Sequence, residues 1–177
     1  MAQSDMLQKG DDAPVFATKA SLAGEEFMFY LEDALHKGPT VVYFYPSAYT
    51  GGCDLEARTF AENIEEFEEA ETTVIGVSAD NIERLNEFSA DPNYCAGEFP
   101  VASDPDGKIA AKYGLEMSPE QEGAKDIRGE NIDHGFIPRT TFIIDEKGEI
   151  VKVFSSKIDE ITPDEHVTKS LDIVEKM

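Results

Sequence analysis

The sequence holds only two cysteines, Cys53 and Cys95, and the first sits where a thiol can be made reactive. Cys53 closes the run Tyr45-Pro-Ser-Ala-Tyr-Thr-Gly-Gly-Cys53, which joins an apolar, β-branched stretch to an amphipathic one. In α/β proteins ligand sites gather where the chain leaves the carboxyl ends of strands. A cysteine in the first turn of the helix that follows meets unpaired N–H groups and the positive end of the helix dipole, and both favour a thiolate. The expected result is a depressed pKa. A free thiol with a pKa of about 8.5 is only about 3% ionised at pH 7, whereas one near 6 is about 90% thiolate. Gly51 and Gly52 let the backbone turn and leave room for a small substrate. Thr50 offers a hydroxyl that can donate and accept, and Pro46 ends the strand by removing a backbone donor. Taken alone, Cys53 also fits a small packing residue, because free cysteines are usually buried and inert.

Other chemistry is poorly supplied. His36, His134 and His166 show no ligand spacing with either cysteine, so no metal is expected. Two cysteines in a chain of this size do not make a stapling framework either. Thiol or carboxylate chemistry remains.

The elements around Cys53 read as α/β. Thr40–Tyr45 and Thr72–Ser78 are nearly continuous apolar or β-branched runs, as expected of strands covered on both faces. Phe99–Ala102 reads as a third strand, and Thr140–Phe154 as a hairpin turning at Asp145-Glu-Lys-Gly148. A smaller hairpin is expected around Gly24, with Phe27-Met-Phe29 after it. From Cys53 to Ala70 the positions Leu55, Phe60, Ile64 and Phe67 mark the apolar side of a helix, with glutamates crowding the other side. Further helices are expected at Asn81–Ala90, at Asp106–Tyr113 before Gly114, and after the capping box Thr162-Pro-Asp-Glu165. This order indicates a central mixed sheet flanked by helices, with an N-terminal hairpin, in one domain over residues 1–177. Residues 116–138 are polar and without a period. Connections of about 20 residues are usually functional or mobile, and a tolerated surface insertion is the other reading.

Lys and Arg total 15 against 37 Asp and Glu, a formal net charge of −22. Such a surface repels phosphate backbones and anionic lipid, which argues against nucleic-acid and membrane partners. It also fits plain solvation in salty surroundings. No apolar run reaches bilayer length, and MAQSDMLQKGDD has neither a basic start nor an apolar stretch. Cytoplasm is the default expectation.

The spacing of Pro46, Thr50 and Cys53 resembles the active-site signature of peroxiredoxins. The surrounding runs VVYFYP, IGVSAD, FPVASDPDGKIAAKYG and PRTTFIIDEKGEIVKVF are similar to that family too, above all to the group named after the bacterioferritin comigratory protein. The likeness extends from about Gly10 to the C-terminus. It implies a thioredoxin-like fold and a peroxidase that reduces hydrogen peroxide and organic hydroperoxides without a cofactor. Cys53 then matches the peroxidatic cysteine, Thr50 the residue that hydrogen-bonds thiolate and peroxide, Pro46 a shield, and Arg139 a cation beside the sulfur. Physical reasoning agrees on the last, since a thiolate in so acidic a chain needs a dedicated cation. Glu56, one turn after Cys53, either orients that arginine or is a solvated helix glutamate.

The sequence departs from the resemblance at one place. Many members of that group carry a second cysteine five residues after the first, where this chain has Arg58. Cys95 is then the candidate resolving cysteine, or a bystander. The implied partners are a hydroperoxide and a thioredoxin- or glutaredoxin-type reductant, acting on a monomer or homodimer. The competing readings are a thiol–disulfide exchange protein or redox sensor, which the missing C-x-x-C partner speaks against, and a non-enzymatic acidic interaction module.

Overall fold

A computed structural model describes residues 6–177. The first five residues of the stretch read above for a leader lie outside the described residues. Seven strands form one mixed sheet in the order β2-β1-β5-β4-β3-β6-β7. The chain order is β1 (Ala17–Leu22), β2 (Glu25–Tyr30), α1 (Leu31–Lys37), β3 (Thr40–Phe44), α2 (Gly51–Glu62), α3 (Ile64–Glu69) and β4 (Thr73–Ser78). It continues through α4 (Ile82–Ala90), β5 (Val101–Ser103), α5 (Lys108–Lys112), β6 (Thr140–Ile144), β7 (Ile150–Ser155), α6 (Ser156–Asp159) and α7 (Pro163–Glu175).

The central strands are buried on both faces, as their continuous apolar sequences require. In β3, Val42 and Phe44 face one apolar layer with Ile75, Val77, Phe142 and Tyr113. Val41 and Tyr43 face the other, which holds Phe60, Phe67, Phe88, Val167 and both cysteines. β3 runs parallel to β4 and antiparallel to β6. Tyr43 stands opposite Gly76, and a Cβ on that glycine would come within 2.7 Å of the tyrosine ring. The missing side chain lets Tyr43 lie down and stack on Phe60 of α2, with ring centroids 4.5 Å apart.

Three expectations need correction. The helix read over Cys53–Ala70 is two helices, broken at Asn63, whose side-chain amide donates to the Thr59 carbonyl at 2.8 Å. Such local bonding competes with the helical ladder. Of the positions read as its apolar side, Phe60, Ile64 and Phe67 are buried as expected and Leu55 is not. Leu55 is exposed, whereas Cys53, Glu56, Ala57 and Phe60 face inward. The third strand is shorter and later, Val101–Ser103, and α1 and α6 were not anticipated. The N-terminal hairpin, the capping box with Glu165 accepting from Thr162 N–H at 2.8 Å, and Gly114 at positive φ after α5 are as expected.

Residues 116–138 contain no helix and only one isolated bridge, Lys125 with Asn131. They are nevertheless tied down. The Ile127 N–H donates to the Tyr49 carbonyl at 2.9 Å, and Asp126 and His134 are buried in an ion-pair cluster behind the Cys53 loop.

Candidate active site

The parallel pairing of β3 and β4 leaves their carboxyl ends side by side, and the Cys53 loop begins there. β6 pairs Thr140 with Phe44, so the start of β6 lies beside the end of β3. That register places Arg139 at the loop. Thr50 is the N-cap of α2 and Cys53 occupies its first turn. The sulfur accepts from Arg139 Nη2 at 3.3 Å and from the Ser47 N–H at 3.5 Å. Arg139 is shared, since its Nη1 donates to Glu56 Oε1 at 2.6 Å. Glu56 is fully buried, so the orienting geometry holds and the solvated alternative does not.

Thr50, half-buried, donates its single hydroxyl hydrogen to the Ser47 carbonyl at 2.8 Å. The same hydroxyl is within reach of Cys53, and it favours the thiolate when it turns its hydrogen to the sulfur. Pro46 is half-buried in the bend after β3. Gly51 is exposed, and neither it nor Gly52 takes a positive φ. Room rather than backbone freedom explains Gly52: a Cβ there would come within 2.9 Å of Arg139 Nη2 and 3.3 Å of Pro163. The residue with left-handed backbone in this loop is Tyr49, at φ 60°.

The electrostatics differ from the expectation in one respect. Cys53 is only 2% exposed, and burial pushes its thiol up. Arg139, Thr50 and the Ser47 N–H pull it back without cancelling burial. The expected depression from the helix start is therefore outweighed by desolvation. Burial likewise raises Glu56, to about 8, against the pull of Arg139. Burial opposes the charge of Arg139, but the Cys53 sulfur and Glu56 more than compensate, and it stays a cation. His166, buried behind Glu56 and bonded to Thr141 and Ser156 at 2.8 Å each, falls to about 4 through burial and then the charge of Arg139. It is neutral at pH 7.

Behind the loop lies a cluster that the sequence did not reveal. Asp80, at the end of β4, is fully buried and accepts from Ala48 N–H at 2.8 Å, Ser47 Oγ at 3.2 Å, Ser78 Oγ at 2.6 Å and Arg84 Nε at 2.8 Å. His134 Nε2 stands 2.9 Å from the same carboxylate. Burial opposes the Asp80 charge, but His134 and the other donors hold it below the usual carboxylate range. Arg84 also donates to the Ala48 carbonyl at 2.7 Å and pairs with Asp126 at 2.8 Å. Arg128 covers the Tyr49 ring at 3.6 Å. These contacts hold the strained Tyr49 and the Ser47 amide that meets the sulfur. The available signal was Asp80 at a strand's carboxyl end with a lone histidine in the long polar segment.

Cys95 lies in the turns after α4, completely buried. Burial, then the charges of Asp54 and Asp91, push its thiol well up. The two cysteines are free thiols in the same apolar layer, and Tyr43 and Tyr45 lie within electrostatic reach of both. Arg58, at the position of the missing second cysteine, is an exposed partner of Glu62. Among the described residues no cluster of His, Cys, Asp or Glu could hold a metal ion, and no helix is long and apolar enough to cross a membrane.

Fold and site together define a thiol-based oxidoreductase built on a thioredoxin-like sheet. The chain belongs to the AhpC/TSA family, whose model matches residues 9–153. It is 35% identical over 152 residues to a putative peroxiredoxin of Mycobacterium tuberculosis (strain ATCC 25618 / H37Rv), covering 85% of this chain and 87% of that relative. It is 34% identical over 149 residues to peroxiredoxin Bcp of Escherichia coli (strain K12), covering 84% and 85%. Among solved structures it is similar to peroxidoxin BcpB of Mycobacterium tuberculosis, with a TM-score of 0.77, 27% identity and coverage of 97% and 98% of the two chains. The activity is that of a thiol-dependent peroxidase, and the exchange-protein and interaction-module readings fall away.

Proposed function

We propose that Cys53 is the peroxidatic residue, that Arg139, Thr50 and Pro46 complete its site, and that Cys95 resolves the oxidised form. The carrying observation is the 3.3 Å contact of Arg139 with the Cys53 sulfur, with the same guanidinium fixed by Glu56. Cys53 as thiolate attacks the terminal oxygen of a hydroperoxide. The O–O bond breaks, the departing oxygen takes a proton and leaves as water or an alcohol, and the sulfur becomes a sulfenic acid. Arg139 donates to the sulfur and, as charge moves, to the leaving oxygen. The Thr50 hydroxyl turns from Ser47 to hold the peroxide, and Pro46 keeps water from the sulfur.

Burial in the closed site keeps the resting sulfur mostly protonated, so the ionised fraction rests on Arg139, Thr50 and the Ser47 amide. Cys95 then displaces the sulfenic oxygen as water and forms a disulfide with Cys53. A dithiol reductant of the thioredoxin or glutaredoxin type restores both thiols by exchange. Mass measurement after one equivalent of hydrogen peroxide tests the scheme. Loss of two hydrogens is expected for the natural sequence and gain of one oxygen for Cys95→Ser. An unchanged mass in both would sink it.

A further inference from the structure

We propose that Asp54 is the general base of disulfide formation, taking the proton from Cys95 as that thiol attacks the oxidised Cys53. This rests on the reading of Cys95 as the resolving cysteine. The difficulty it addresses is visible in the surroundings of Cys95. That thiol is completely buried in a layer rich in aromatic side chains, and among the described residues the charged groups that it senses are the carboxyls of Asp54 and Asp91. Neither stabilises a thiolate. A nucleophile so placed needs its proton removed during attack, and the two carboxyls are the candidates.

Asp91 is engaged. Its Oδ1 accepts from the Asn93 N–H at 3.0 Å and its Oδ2 from the Tyr49 hydroxyl at 3.4 Å. Asp54 is not. It is 7% exposed, and both its carboxyl oxygens are buried without a hydrogen-bond partner. A buried carboxyl in that condition is costly, and such cost persists at functional sites. Asp54 also follows Cys53 directly in the first turn of α2. Any unwinding that carries the Cys53 sulfur to Cys95 carries this carboxyl with it.

The basicity suits the task. Burial pushes Asp54 up to about 7, and Asp126 and Asp91 raise it further; the Tyr49 N–H, near the carboxyl but short of hydrogen-bond geometry, and Arg84 lower it. At neutral pH it is poised both to take and to return a proton. The Cys95 S–H proton passes to the Asp54 carboxylate, the S–S bond forms, and the S–O bond of the Cys53 sulfenic acid breaks. The departing hydroxide collects the proton from Asp54 and leaves as water. Cys53 is reduced from the sulfenic state as Cys95 is oxidised.

The test is the rate of disulfide formation after one equivalent of hydrogen peroxide, followed from acid to alkaline pH by quenched mass analysis. The natural protein should show a rate that rises through a pKa of about 7. Asp54→Asn should lose that rise and slow disulfide formation about a hundredfold at pH 7, within the usual range for a lost general base. Asp91→Asn should keep the rise. An unchanged rate in Asp54→Asn, or a rise lost in Asp91→Asn instead, overturns the proposal. So does a natural-protein rate that climbs only in the alkaline range of free thiols, a reading that needs no variant to fold. Cys95→Ser separates the two failures: full turnover there removes the resolving role of Cys95, whatever Asp54 does.

Discussion

His134 Nε2 stands 2.9 Å from the carboxylate of Asp80, so a residue of the long polar segment braces the loop that carries Ser47 and Ala48. Burial opposes a charge on His134, but the hydrogen bond and charge of Asp80 raise it above its ordinary value. A raised histidine stabilises the fold fully below its unfolded pKa of about 6.5, and that contribution is lost as pH rises through the folded value. His134→Ala should therefore cost about 2 kcal/mol near pH 6, in the range for a buried charge-assisted bond. The difference should shrink above neutral pH. Urea midpoints of both proteins at the two pH values check this, and a constant difference would show that His134 acts uncharged.

Arg139→Met should raise the thiol titration of Cys53, measured by thiolate absorbance, and slow peroxide reaction at pH 7 by roughly a hundredfold. The guanidinium opposes burial at Cys53, so its loss leaves desolvation unanswered. Glu56, already pushed up to about 8 and so mostly protonated at pH 7, should stay neutral once Arg139 no longer favours its charge. An unchanged titration curve would separate Arg139 from the reacting sulfur.

How much of this was legible depends on what each residue answers to. The continuous apolar runs of β3 and β4 announced a sheet covered on both faces, and the capping box announced the start of α7, because both are local signals. Periodicity assigns a glutamate to solvent and a leucine to the core, so it left Glu56 open between solvent and Arg139 and placed Leu55 inside. α2 does the reverse, exposing Leu55 and burying Glu56 against Arg139, 83 residues away. The pKa of Cys53 was misjudged because its place at a helix start is written in the sequence, while its burial is not. Asp80 and Arg84 stand four residues apart, but His134 joins them from 54 residues away only when the chain has folded, and no spacing reports that. The same holds for Asp54, which reads as a favourable first-turn acid until its two oxygens are found buried without partners.

Thr50→Val should lose much more activity than stability. The side chains are close in volume, and the bond lost, from the Thr50 hydroxyl to the Ser47 carbonyl at 2.8 Å, is worth about 1 kcal/mol at a half-buried site. The hydroxyl that holds the peroxide is a larger loss for catalysis, on the order of a hundredfold. Melting temperature and peroxide consumption measured together decide it. Parallel losses in both would make Thr50 a structural residue.

Cys95→Ser should consume one equivalent of peroxide and then stop turning over with a thioredoxin-type reductant, with Cys53 passing on to sulfinic acid. In the reduced structure both thiols are free and buried in one apolar layer, with Cys53 in the first turn of α2 and Cys95 in the turns after α4. A disulfide demands Cα atoms within roughly 7 Å and a fixed dihedral. The two sulfurs are unbonded and carried by separate elements, so forming the bridge should move at least one of them. The turns from Asp91 to Gly97 are held by short-range backbone bonds, such as Ala96 N–H to the Asp91 carbonyl at 2.9 Å, and Ala96 and Gly97 both take positive φ. Such a segment opens at lower cost than the sheet. Oxidation of the natural protein should accordingly speed hydrogen exchange in residues 91–97 and in the first turn of α2, while β3 and β4 stay protected. Oxidised Cys95→Ser should lack that change, because it forms no bridge. Full turnover by Cys95→Ser with the same reductant, or identical exchange in its oxidised form, would mean that Cys53 works alone and that Cys95 only fills space.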